Sequence, residues 1–331
     1  MIIVASRKKS TKSRDTQDRA PRVPINNVNN FAALKDAIEN PAYAPPMLIY
    51  ISADFEIEEN LTLRPNVVTM LLPASPAPTR TLTRRVGLTG DIFTVPGGAT
   101  LRLQNIIVDG NTILNGPIGT GTIVHLSGTN SALTLEDHAV LRNNWNRVSN
   151  GGAVNMTGTD SVLLMQTDAI IENNHARNGG AIAGANVIRS TKELINGIES
   201  LGEVNNGMDI QGGIYNNTAD NSGGAIYVPH AALGKITATP TAAFSGNKAA
   251  WVKETHEAAD DPAYASVASV TQWSTGTQGY NNWDIAYGTK PGGGGGGGGG
   301  NQGAMSMNGA KNQQVVWCTT TNFCECLNAS K

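Results

Sequence analysis

The first chemical possibility in this sequence lies in its aspartates. Residues 121–144 align without gaps on residues 151–174 at an offset of 30. In that alignment Asp137 meets Thr167 and Asp168 meets His138, so the two aspartates fall one residue out of line in consecutive copies. A glycoside hydrolase needs two carboxyl groups held roughly 5–9.5 Å apart on one surface, and Asp137 with Asp168 is the best acidic pair on offer. With Asp209 in the following copy, the three carboxylates suit a hard cation such as calcium, which a lyase would combine with a basic residue acting as base. The competing reading is turn chemistry, for which aspartate is favoured.

The remaining reactive residues form no comparable pattern. His125, His138, His175, His230 and His256 show no metal-ligand spacing, and His175 aligns with Trp145, which places it in an exposed turn. Cys318, Cys324 and Cys326 all fall in the last fourteen residues. Their Cys-x5-Cys-x-Cys spacing suits a soft metal only with a fourth ligand, and His256 is distant in sequence. An odd, clustered set of thiols is also no disulfide framework for the rest of the chain. No Gly-x-Ser-x-Gly element occurs, and the glycine run at 292–300 lacks the Lys-Ser/Thr of a phosphate loop. These residues therefore assign no catalytic group, no metal ligand and no cofactor.

The elements that position such residues follow from composition and repetition. Charged residues are only 15% of the 331, the net charge is −2, and glycine occurs 38 times. Apolar residues, at 40%, are enough for a core. The near-neutral balance argues against a nucleic-acid partner. No apolar stretch reaches the ~18 residues of a membrane-spanning helix.

The 30-residue unit then recurs more loosely. LRNN, IENN, IYNN and FSGN end at Asn144, Asn174, Asn217 and Asn247, and Val108-Asp109-Gly110-Asn111 reads as a divergent earlier copy. Gly-Gly-Ala follows three of them, at 151–153, 179–181 and 223–225. Between 174 and 217 an extra stretch, about Ser190 to Asn206, reads as a short helix or loop bulging from one coil. Short apolar or alternating runs within each unit read as three strands joined by turns. One unit cannot bury its apolar face alone, whereas stacked units share a continuous core. Asn tolerates left-handed backbone angles and can bond to the Asn one coil above, Gly-Gly permits a turn closed to side chains, and Ala fits a crowded corner. Low charge follows from stacking like residues on like.

The expected fold is thus all-β, a right-handed parallel β-helix. Residues 1–25 read as a flexible basic arm, 26–290 as the solenoid with its caps, and 291–331 as a disordered glycine-rich tail. Asn30 reads as the N-cap of an amphipathic cap helix that buries Phe31, Leu34 and Ile38. Met47–Ile51 and Val67–Leu72 are the first strand candidates. Trp251, Tyr264, Trp273, Tyr280, Trp283 and Tyr287 read as the cover of the last coil, with a sugar-stacking platform as the alternative.

Phe244-Ser245-Gly246-Asn247, with the Gly-Gly-Ala-Ile segments at 179–182 and 223–226, resembles the FxxN and GGA[ILV] repeats of the polymorphic outer-membrane proteins. The chain also looks like related adhesin-like β-helix proteins over roughly residues 26–288. That resemblance implies secretion, a cell-surface or extracellular location, and adhesion or scaffolding toward surface glycans or proteins. It departs from the pattern in showing no signal peptide, barrel or sorting signal. The expected function is a non-enzymatic adhesion or structural passenger. The alternative is a polysaccharide lyase or hydrolase, or a glycan-binding β-helix, because this architecture serves enzymes and non-enzymes alike.

Overall fold

Short runs whose alternate residues are apolar become strands because each stacked neighbour presents the same alternation in register. In the computed structural model of the protein, residues 25–75, 79–112, 121–147, 149–184, 207–252, 267–274, 280 and 282–287 are described. All belong to the compact unit Met1–Pro291. The basic arm up to residue 24, the extra stretch at 190–206, His256, Tyr264, the glycine run and the three cysteines lie outside them. Ile25, which the sequence reading places in the arm, begins the first strand.

The described strands form a parallel β-solenoid. Sheet A has eight strands, from Ile25–Val28 to Ile236–Ala238, and sheets B and C have seven each, from Phe55–Ile57 to Ala243–Ser245 and from Leu61–Thr62 to Ile285–Tyr287. Within each sheet the strands follow one another in chain order. The 30-residue offset is borne out in the register: Leu126 pairs with Met156, Leu133 with Leu163 and Leu135 with Met165.

Side chains on the inner faces line up as columns of like residues. One column in sheet A runs Ile49, Leu71, Leu103, Leu135, Met165, Ile210 and Ala238. A column in sheet B runs Phe55, Leu82, Val108, Leu141, Ile171, Ile214 and Phe244. Phe244 thus stands in the same column as the aliphatic residues of the middle copies, with Phe55 at the column's other end, so an aromatic at this place still belongs to the repeat. Fully burying side chains of this size contributes about 1.5–3 kcal/mol each.

The N-terminal end is closed by helix α1, Phe31–Glu39. Asn30 caps it, its side-chain oxygen accepting from the Ala33 N–H at 2.9 Å, and Phe31, Leu34, Ala37 and Ile38 are buried. Sheet A starts one strand before sheets B and C, and α1 packs against the first strands of all three. The helix therefore covers strand edges that would otherwise stay unpaired. The second strand candidate lies one residue later than expected, at Val68–Pro73.

Two details correct the sequence reading. Later coils carry a fourth short strand, giving a sheet D of Trp145–Asn146, His175–Ala176, Thr218–Ala219 and Lys248–Ala249. The two tasks assigned to one Asn also fall on adjacent residues. Asn143, Asn173 and Asn216 adopt the left-handed backbone at φ near 55°, with Gly246 in the equivalent place, while the Asn that follows each one turns inward. Separation is required because the left-handed residue aims its side chain away from the core. The Gly-Gly turn behaves as expected: Gly151 sits at φ 73°, and a Cβ on Gly152 would collide with the Gly180 carbonyl of the next coil.

Candidate functional site

The inward asparagines build a buried polar column. The main-chain N–H of Asn144 donates to Asn174 Oδ1 at 3.1 Å, that of Asn174 to Asn217 Oδ1 at 2.9 Å, and that of Asn217 to Asn247 Oδ1 at 3.0 Å. Side-chain amides of Asn174 and Asn217 add bonds of 3.1 Å to the same oxygens. The column therefore has an acceptor end at Asn144 and a donor end at Asn247, and each end meets a charge of the matching kind. Arg84 Nη2 donates to Asn144 Oδ1 at 3.2 Å, and Asn247 Nδ2 donates to Asp284 Oδ1 at 2.9 Å. Ser274 also donates to Asp284 through its hydroxyl and its main-chain N–H. Charge-assisted bonds at both ends polarise the chain of amides in one direction.

Arg84, 1% exposed, also donates to the carbonyls of Leu88, Gly90 and Thr122. Burial pulls its pKa down to about 10 against the opposing pull of Asp91, so it stays charged at neutral pH. Burial likewise raises the pKa of Asp284, an effect the bonds from Ser274 and Asn247 only partly offset.

The aspartates singled out by the repeat do not converge as a trio. Asp137 and Asp168 are exposed in the turns between sheets A and B, one residue out of step on adjacent coils, as the alignment places them. Asp209 is elsewhere. It pairs with Leu164 and Thr237 within sheet A, and the next turn is two residues shorter, so nothing there continues the acidic line. The calcium arrangement of Asp137, Asp168 and Asp209 is thereby overturned. Burial raises the pKa of Asp209, against a bond from Gln211 at 3.2 Å. Among the described residues no three His, Cys, Asp or Glu side chains gather as a metal site.

A carboxylate–imidazole–hydroxyl relay crosses three coils on the outer face of sheet C. Asp91 Oδ2 lies 2.8 Å from His125 Nδ1, and His125 Nε2 lies 2.7 Å from Thr157 Oγ1. Burial alone would raise the pKa of Asp91, but His125, the Thr122 N–H and Arg84 together hold it below the ordinary value. This order of groups is that of an activated nucleophile. The N–H groups flanking the Thr157 hydroxyl, its own and that of Gly158, both donate to the Leu126 carbonyl, so neither is aimed at a developing oxyanion. The geometry as it stands is that of a polar staple joining three coils. Its members lie 34 and 32 residues apart, off the period of 30, which hid them from the alignment.

Sheet D brings aromatic and charged groups together on another face. His175 stands on a strand, opposite Trp145 as the alignment places it, and is half-buried. The ring centroids are 4.4 Å apart at a tilt of 36°. His175 Nδ1 lies 2.7 Å from Thr218 Oγ1, and Nε2 makes an off-axis contact with Asp220 Oδ1 at 3.1 Å. Arg147 and Arg177, exposed, each come two residues after Trp145 and His175 in sequence, but the register slips there, and the Arg177 N–H donates to the Ser149 carbonyl. Extending the 30-residue alignment by three residues reaches both arginines.

The aromatics near the C-terminal end are mostly core. Trp273 stacks on Phe244, with centroids 5.2 Å apart and planes at 7°, and covers the last strand of sheet B. Tyr280 and Tyr287 are buried, Trp251 is half-buried, and Trp283, at 39%, is the one Phe, Trp or Tyr among the described residues that is substantially exposed. Trp273, Tyr280 and Tyr287 thus pack into the end of the solenoid, as the cover reading has it. Among the described residues no helix is long and apolar enough to cross a membrane. Comparison of the chain with models of known protein families, with curated proteins and with solved structures finds no match.

Proposed function

We propose that the protein is a non-enzymatic adhesion or structural passenger module that works at a cell surface or in the extracellular space, with surface glycans or proteins as partners. One observation carries this reading: outward residues of successive coils stand in register on parallel sheets, giving long, repetitive lateral faces. Such faces suit an extended partner, because any contact made on one coil can be repeated about 4.8 Å further along. The FxxN and GGA[ILV] usage supports the same reading, since Phe244 and Ala153, Ala181 and Ala225 fill buried repeat positions.

The test is a glycan array probed with the full chain, followed by product analysis on every polysaccharide bound. Binding without product is the expected outcome. Turnover would instead favour the polysaccharide lyase or hydrolase reading, for which exposed Asp137 and Asp168 on adjacent coils are the starting pair.

A further inference from the structure

The corner that leads into sheet C is written three times as Gly-Gly-Ala with a branched residue, at 151–154, 179–182 and 223–226. Ile226 pairs with Ile285, so Asn282-Trp283-Asp284-Ile285 is the same corner in the last described coil. All three residues before the isoleucine differ there, and each difference removes something that a further coil would need.

The second glycine of the corner is where the next coil comes closest. A Cβ on Gly152 would collide with the Gly180 carbonyl, one on Gly180 with the Gly224 carbonyl, and one on Gly224 with the main chain of Lys248. Trp283 stands at this place with a whole indole, 39% exposed. The N–H groups change as well. Those of Ala153 and Val154 donate to the Ala181 carbonyl, those of Ala181 and Ile182 to Ala225, and those of Ala225 and Ile226 to Asp284. In the last corner the N–H groups of Asp284 and Ile285 turn back to Asn282 Oδ1, at 2.7 and 3.0 Å. The two donors that each earlier corner extends to the next coil are thus taken up locally. Asp284, in place of the alanine, ends the asparagine column too: its carboxylate accepts from Asn247 and Ser274 and has no donor to hand on.

We propose that Asn282-Trp283-Asp284 is a stop unit that seals this end of sheet C against any further strand, above all the strand edge of a second copy of the chain. An unpaired edge offering N–H groups is a template for pairing between chains, and such edges are blunted by side chains that cover or satisfy them. Helix α1 covers the first strands at the other end. Copies of the protein then have no edge of sheet C at which to join, and partners are met on the lateral faces. This holds whatever ligand those faces take.

The experiment compares the full chain with a variant whose corner is returned to the repeat, N282G with W283G and D284A, by sedimentation velocity over about a hundredfold range of concentration. The variant should associate with rising concentration, and more strongly than the unaltered chain, as its opened edges pair. If circular dichroism shows that the triple variant does not fold, N282G with W283G, which keeps Asp284 on the asparagine column, carries the same test. Hydrogen exchange gives a second measurement. Asn282→Gly should speed exchange of the Asp284 and Ile285 amides about tenfold or more and leave those of Ala225 and Ile226 unchanged. A folded variant that associates no more than the unaltered chain would overturn the proposal. So would association of the unaltered chain that Trp283→Gly abolishes, because the indole would then be a contact and not a block. Unchanged exchange of both amides in Asn282→Gly would overturn it as well.

Discussion

The coils before Asn111 and those after Gly121 solve one problem in different ways. Both must satisfy polar groups at the inner corner that follows sheet B. In the later coils a column of asparagines does so, one per coil, from Asn144 to Asn247. In the earlier coils a single guanidinium, Arg84, reaches four acceptors that belong to several segments of chain. The outer faces differ in parallel. Earlier coils are laced by ion pairs, as between Asp54 and Arg80 and between Glu58 and Arg85, whereas later ones add sheet D, whose Lys248 has no acidic partner among the described residues. A repeated amide extends indefinitely because it carries donor and acceptor alike. A cation has no acceptor, so it serves where a column must stop.

Breaking the junction between the two regions should cost the most. Arg84→Met leaves the side-chain oxygen of Asn144 and the carbonyls of Gly90 and Leu88 without this donor in a buried site, while the Thr122 carbonyl keeps the Ile92 N–H alone. A loss of about 3–5 kcal/mol is expected, read from urea unfolding monitored by circular dichroism. Arg84→Lys keeps the charge but not the planar fork and should recover only part of that loss. A loss below about 1 kcal/mol for Arg84→Met would mean that the column needs no cationic end.

A cut in the middle of the column should cost less, because the ends keep their charges. Asn217→Ala removes the acceptor of the Asn174 N–H and amide, and the donor to the carbonyls of Ile171 and Tyr215. About 2–4 kcal/mol is expected from the unsatisfied groups. Combining Asn217→Ala with Arg84→Met should cost less than the two losses added, since the polarisation is already interrupted. Strict additivity would show that the amides act pair by pair rather than as a chain.

The same contrast explains what could be read from the sequence. The period, the inward asparagines and the Gly-Gly-Ala turns were legible because the later coils repeat one solution with little variation. The cap helix was legible from Asn30 and the spacing of Phe31, Leu34 and Ile38, all local signals. Arg84 was not, since a single residue replacing a column leaves no periodic trace. Sheet D was hidden because a strand of two residues carries too little alternation. Asp209 was misplaced because the turn after Ile210 is two residues shorter, a change masked by the extra stretch just before it. The relay of Asp91, His125 and Thr157 runs diagonally across the coils, and a search at one fixed offset passes it by.

That relay gives a smaller effect with a defined sign. The pKa of Asp91 lies below its ordinary value of 3.8, so its contribution to stability is complete above that value and is lost as pH falls through the lowered one. Asp209 and Asp284, whose pKa values are raised, act oppositely: acidification relieves the cost of burying their charge, starting above 3.8. Stability should therefore hold or rise as pH first falls from 7, then decline below about 4. Asp91→Asn should remove part of the decline and leave the earlier segment unchanged, measured by urea midpoints between pH 3 and 7. An identical acid limb in the variant would show that the staple is not what acid breaks.

The smallest effect concerns the outer row of sheet B, where the two regions share a column of charge. Asp109, Arg142 and Glu172 stand opposite one another in register, so the signs alternate from coil to coil. Arg142 Nε donates to Asp109 Oδ2 at 2.8 Å, and the Asn143 amide reaches the same oxygen at 3.0 Å. Arg142 is about one-third exposed, so Arg142→Ala should cost only about 0.2–1 kcal/mol. Arg142→Glu should cost more, because it sets three carboxylates in line on neighbouring strands. Screening decides the matter, since surface repulsion of this kind weakens as the Debye length shortens with added salt. The difference between the two variants should therefore shrink strongly between 0.05 and 1 M sodium chloride, over which the Debye length falls from about 14 Å to about 3 Å. A difference that ignores salt would mean that packing of the arginine stem, and not the alternation of charge, holds this row together.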